Sequence, residues 1–162
     1  MNERTDVTLT INGNRYVIRV EPRRTLVDAI REECGQTGTH IGCEHGVCGA
    51  CTVLVDGAPI RSCLMFAVQA DGKDIRTVEG LATADELNTL QRAFMENHSL
   101  QCGFCTPGFL MLVTGFLERE PEFTDADLVD MLASNLCRCT GYQNIVKAVR
   151  AVAVEMRQHH PA

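Results

Sequence analysis

Eight of the nine cysteines in this chain of 162 residues fall into two sets of four, Cys43, Cys48, Cys51 with Cys63, and Cys102, Cys105 with Cys137 and Cys139. Any fold for the chain has to gather each set in space, and two complete sets point to two metal centres. The first set has the C-x4-C-x2-C…C spacing that wraps a plant-type 2Fe-2S cluster, and a chain with two one-electron centres is suited to moving electrons. The N-terminal stretch Met1-Asn2-Glu3-Arg4-Thr5-Asp6 has no apolar signal core, and no run approaches the roughly 20 apolar residues of a membrane span. This reads as a soluble, cytoplasmic protein with no transmembrane segment, where thiols stay reduced and favour metal ligation over disulfides. A net charge of -6 without a basic block argues against nucleic acid as a partner.

An apolar content of 45% fills one domain or two small ones, and the pattern favours two, residues 1–80 and 81–162. From Val7 to Val20 apolar and polar residues broadly alternate around Asn12-Gly13, a dipeptide that supplies the positive φ angles of a hairpin turn. Thr25-Leu26-Val27-Asp28 has the Thr-x-x-acid form of a helix cap, and Leu26, Val27 and Ile30 keep helical spacing up to Cys34. After a glycine-rich loop, Thr52–Val55, an Asp56-Gly57 turn and an extended run to Cys63 make a second strand pair. The stretch from about Ala70 to Ala84 reads as the end of the sheet and a linker. Beyond it, Thr83 reads as the cap of a helix bearing Leu87, Leu90 and Phe94. Thr106-Pro107 reads as cap and first position of one bearing Phe109, Leu112, Val113 and Phe116. Thr124 with Asp127 caps a segment carrying Leu128, Met131 and Leu132, and Ile145, Val149 and Val152 mark a last helix whose period runs to about Met156. The expected fold is α+β: an N-terminal β-grasp, plant-type ferredoxin-like domain, then a C-terminal four-helix bundle.

In the first loop Gly42, Gly46 and Gly49 let the backbone curl closely round a cluster with amides aimed at sulfur, and Cys63 arrives from a separate strand to close the site. Zinc sites usually pair two short Cys-x2-Cys knuckles, which this spacing lacks. With four cysteines present, His40 and His45 read as loop residues rather than Rieske-like ligands. In the second set Cys105 lies just before a helix N-terminus, where exposed amides and the helix dipole stabilise a thiolate. Taken alone, that set could also hold one zinc ion or act as a redox dithiol. Arg138, between two of its cysteines, could raise a cluster's potential, touch a partner or simply be solvated. The leftover Cys34 reads as a small buried apolar residue. Met65-Phe66 and Met111-Leu112 read as core packing.

Three segments together resemble a known family: Gly42-Cys43 through Cys51-Thr52-Val53, Gln101-Cys102-Gly103-Phe104-Cys105-Thr106-Pro107-Gly108, and Asn135-Leu136-Cys137-Arg138-Cys139-Thr140-Gly141-Tyr142. The chain is similar, over nearly its whole length, to the small iron-sulfur subunit of molybdenum hydroxylases, the xanthine oxidase family, with no departure at a ligand position. The resemblance implies two 2Fe-2S clusters, one in each domain. It implies partners too: a large subunit with a molybdopterin-type molybdenum cofactor and a medium subunit with FAD, assembled as a dimer of heterotrimers. Electrons would pass one at a time from molybdenum through the helical domain's cluster and then the β-grasp cluster to FAD. Gln101 would hydrogen-bond the pterin, and Cys139, besides ligating iron, would adjoin it. Ser62-Cys63-Leu64-Met65-Phe66-Ala67-Val68-Gln69 is similar to small subunits of enzymes that act on N-heteroaromatic compounds or carbon monoxide. A freestanding ferredoxin serving several reductases and a zinc-stabilised interaction module are the alternatives.

Overall fold

Each of two hairpins turns on a residue pair that accepts positive φ. In the computed structural model, which describes residues 3–83, 86–120 and 122–159 and side chains as far as Glu155, Asn12 and Gly13 take φ of 50° and 78° and Asp56 and Gly57 take 50° and 79°. The first turn joins β1 (Thr5–Ile11) to β2 (Asn14–Val20), the second β3 (Thr52–Val55) to β4 (Ala58–Arg61), both antiparallel. A further strand, β5 (Asp74–Arg76), lies between them, parallel to β1 and antiparallel to β3, so the sheet order is β2-β1-β5-β3-β4. Alternation marks no more than the end of a sheet here, because a three-residue strand with Ile75 as its one buried side chain is too short to show a period.

Thr25 caps α1 (Leu26–Asp28), its hydroxyl accepting from the Asp28 amide at 3.2 Å, and the helix continues as a π-helical turn over Ala29–Glu33. It lays Leu26, Ala29 and Ile30 against Leu9, Ile11, Val53 and Ile75 of the sheet. Cys34 ends this helix inside the same core, 7% exposed, as expected for an apolar residue. Every residue of β3 is buried. Leu54 lies against the second half of the chain, where a Cβ on Gly115 would sit 2.6 Å from its Cδ2.

That half holds α2 (Thr89–Glu96), α3 (Thr106–Arg119), α4 (Asp125–Ala133) and α5 (Gln143–His159). Phe94, Phe109, Val113, Leu128, Leu132, Ile145 and Val149 form its own core. Two helix starts differ from expectation. α2 begins after Asn88, not after Thr83, because Asn88 and Gln91 form a reciprocal box: Asn88 Oδ1 accepts from the Gln91 amide at 2.8 Å and Gln91 Oε1 from the Asn88 amide at 2.9 Å. The Thr83 amide instead bonds the Glu86 carbonyl, and Leu87 is exposed. α3 is capped by Cys105, with Thr106 first and Pro107 second, since the Phe109 amide already bonds the Cys105 carbonyl at 3.1 Å. Thr124 and Asp127 form the expected box at α4.

The connector is not a loose linker. Asn12 and Thr77 exchange two hydrogen bonds of 2.9 Å, and Val78 and Leu81 pack on the helical core. Residue 84, where the linker was expected to end, and the side chain of Met156 lie outside the described residues. Met111 and Leu112 are buried as expected, but Phe66 is 46% exposed, because it precedes a short 3-10 turn whose Ala67 and Ala70 take the buried positions. Among the described residues no helix is long and apolar enough to cross a membrane.

Candidate metal centres

The first loop aims backbone amides at sulfur. The Cys48 amide donates to Cys43 Sγ at 3.4 Å, and with the His45 amide it holds the Cys43 thiol down to about 6. The Cys43 and Cys48 side chains also bond each other. Cys63 lies on the 3-10 turn Ser62–Leu64 that follows β4, not on the strand itself, and its thiol meets that of Cys51. Burial, then the neighbouring Cys51, pushes Cys63 up to about 11. Val27 and Ile41 pack on Cys51 and Cys63. His45 Nδ1 donates to the Cys43 carbonyl at 2.5 Å, and His40 Nδ1 to the Phe104 carbonyl at 2.8 Å with its ring stacked on Phe104.

In the second set Cys139 Sγ lies 3.5 Å from Cys102 Sγ, and Cys105 meets Cys137. Burial, then Cys137, raises the Cys105 thiol to about 12. Burial resists charge on Cys137 as well, yet the Thr140 hydroxyl, 3.1 Å from its sulfur, and the Thr140 and Cys139 amides bring it below the ordinary thiol value. The Phe104 amide lowers Cys102, and Cys102 in turn raises Cys139. Tyr142 fixes the loop: its hydroxyl accepts from the Cys137 amide at 3.0 Å and its ring meets Phe109 edge-on. The four cysteines line an open hollow of about 590 Å³ with Arg138 exposed at its wall. Gln101, just before Cys102, is exposed.

Among the described residues no three His, Cys, Asp or Glu side chains converge as a lone metal ion needs. The cysteines meet two by two, and a two-iron core takes two protein ligands at each iron. In the second set each pair joins a thiol held low to one pushed high, and a bound cation would favour the ionised form of both. The buried hydroxyls of Thr39 and Thr106, in segments that carry candidate ligands, have no hydrogen-bond partner in the protein. In number, kind and pairing the donors fit two 2Fe-2S clusters.

The two loops touch. The Leu136 amide donates to the Cys48 carbonyl at 2.9 Å, and Asn135 Nδ2 to the Gly49 carbonyl at 3.3 Å. Gly49, at φ 73°, faces the Asn135 amide, and Gly108 faces the Gly49 carbonyl; a Cβ on either glycine would overlap its neighbour. Arg61 joins in, donating to the Thr52 hydroxyl at 2.5 Å and the Ser134 carbonyl at 2.8 Å. Sequence reasoning missed these joining residues. Asn135 and Leu136 stand beside Cys137 in the chain, but nothing in the chain says that they meet Cys48 and Gly49.

Paired thiols with amides aimed at sulfur define a class, the iron-sulfur electron-transfer proteins. Comparison with known proteins agrees: the 2Fe-2S iron-sulfur cluster binding domain family matches residues 9–82 and the 2Fe-2S binding domain family residues 77–150. The caffeine dehydrogenase subunit gamma of Pseudomonas sp. (strain CBB1) is 52% identical over 91% of this chain and 90% of that protein. The nicotine 6-hydroxylase small subunit of Paenarthrobacter nicotinovorans is also 52% identical, over 91% of this chain and 89% of that one. A chain of the crystal structure of quinoline 2-oxidoreductase from Pseudomonas putida 86 superposes with a TM-score of 0.90 at 49% identity, covering 96% of both chains. The chain belongs to the small iron-sulfur subunits of the molybdenum hydroxylases, the xanthine oxidase family. Its role in such an oxidoreductase is electron transfer.

Proposed function

We propose that Cys43, Cys48, Cys51 and Cys63 hold one 2Fe-2S cluster in a β-grasp domain of residues 1–80, and that Cys102, Cys105, Cys137 and Cys139 hold another in a four-helix bundle of residues 81–162. The observation that carries this reading is the two-by-two meeting of the thiols. Each cluster, when bound, supplies a site that takes and gives one electron. The chain sets the working conditions of those sites. Its amides and the Thr140 hydroxyl stabilise sulfur charge, burial at Cys51, Cys63 and Cys137 limits access of water, and the Leu136–Cys48 hydrogen bond joins the ligand loops.

The direction runs from Gln101 and the exposed Cys102–Cys139 pair, on the side of a molybdenum-pterin cofactor in a large subunit, to the Cys43 set, on the side of FAD in a medium subunit. The Gln101 amide offers both donor and acceptor to a pterin edge, and Cys139 adjoins the ring. The working unit is a dimer of heterotrimers in the cytoplasm. The substrate is chosen in the large subunit. Similarity to proteins named for caffeine, nicotine and quinoline supports a small N-heteroaromatic compound over carbon monoxide.

Anaerobic purification of the chain from its own cells tests this. It should bring down a large subunit carrying molybdenum and a medium subunit carrying FAD in constant ratio. A chain that purifies alone and reduces several unrelated acceptors would instead be a freestanding ferredoxin.

A further inference from the structure

We propose that Arg61 and Asn135 are positioning residues that clamp the two cysteine loops together and so set the gap an electron crosses between them. The inference rests on the reading that both loops hold clusters. Arg61 ends β4, just before the turn that carries Cys63. One arm of its guanidinium donates to the Thr52 hydroxyl at 2.5 Å, the other to the Ser134 carbonyl at 2.8 Å and hydroxyl at 3.3 Å. Thr52, itself buried, donates its hydroxyl hydrogen bond to the Gly49 carbonyl at 2.6 Å, and that carbonyl also accepts from Asn135 Nδ2. A polar circuit, Ser134 to Arg61 to Thr52 to Gly49 to Asn135, therefore closes through the Ser134–Asn135 peptide bond, and its Asn135 and Gly49 are chain neighbours of the hydrogen-bonded Leu136 and Cys48.

Packing alone does not account for an amide at position 135. The residue is 1% exposed, and its Oδ1 has no hydrogen-bond partner, an arrangement that carries a desolvation penalty. What the amide nitrogen holds is the carbonyl of the residue after Cys48. Nor is the circuit needed to keep the two halves together. α3 packs on β3 and β4 through Gly115, and Arg76 pairs with Glu118 away from the loops. Loosening the clamp should therefore change the local gap and leave both halves folded and docked.

The test uses the full complex with Arg61→Lys, which loses the planar fork that reaches Thr52 and Ser134 at once, and Asn135→Asp, which keeps the shape but turns a donor towards Gly49 into a repelling carboxylate. Both variants should keep about four irons per chain and the g-values of each cluster measured singly. The magnetic splitting between the two reduced clusters should shrink, and electron equilibration between them after rapid reduction should slow several-fold. Unchanged splitting and rate in variants with intact clusters, even if they melt earlier, would reduce the clamp to ordinary packing and overturn the inference. If one variant fails to fold, the other decides. Absence of two cluster signals from the unaltered protein would overturn the cluster reading itself.

Discussion

Gly49 shows how little freedom the junction leaves a single residue. Its φ of 73° and the Asn135 amide at its face both exclude a side chain, whereas Gly57, at 79°, has nothing within 4 Å of its missing Cβ. Gly49→Ala should cost about 3 kcal/mol, strain plus overpacking, and Gly57→Ala about 1 kcal/mol, strain alone, in urea unfolding of the iron-loaded protein. Cys34 makes the opposite point: the sequence reads it as a small buried apolar residue, and it lies 7% exposed in the core between the first helix and the sheet. Burial lifts its thiol from 9.0 to about 11. As pH rises above 9 the unfolded chain gives up this proton first, so the contribution of Cys34 is whole below pH 9 and is lost towards pH 11. Cys34→Ala should keep all the iron and lose less stability between those pH values than the unaltered chain, as chemical denaturation at each pH will show. Phe66 was not legible, because nothing in Met65-Phe66-Ala67 tells which of three apolar side chains the turn will bury.

Helix starts were readable where both halves of a cap stand in the sequence without a rival. Thr124 and Asp127 are such a pair, and Thr124→Ala should cost about 1 kcal/mol and lower Tm by about 3 °C, read by circular dichroism at 222 nm. Thr83 has Glu86 three residues on and looks like an equal candidate, but Asn88 with Gln91 wins because a helix begun there buries Leu90, Ala93 and Phe94 together. The cap that forms is the one whose helix opens directly onto the core. Surroundings also decide β5, whose three residues have no period of their own and become a strand because β1 and β3 offer open edges on either side. The cysteine loops were legible in advance, since glycine and cysteine spacing already demands a tight curl, yet the placing of Cys63 on a turn beyond β4 was not.

At the scale of the molecule, two small cores meet through α3 on the sheet and through the contact of the cysteine loops. The existence of two centres was readable from eight cysteines, because ligand sets are local in chemistry even when distant in sequence. Their mutual placing was not, since Asn135 and Gly49 are 86 residues apart and the polar circuit between them has no period or motif. Separate centres on separate cores should fail separately. The most direct test is iron and sulfide analysis with EPR of the reduced protein, for the unaltered chain and for Cys43→Ser. The unaltered chain should carry about four iron and about four sulfide and give two distinct signals, and Cys43→Ser should keep about two iron and the signal of the Cys102 set. Colourless protein loaded with zinc, or loss of both signals from a Cys43→Ser chain that stays folded, would contradict it.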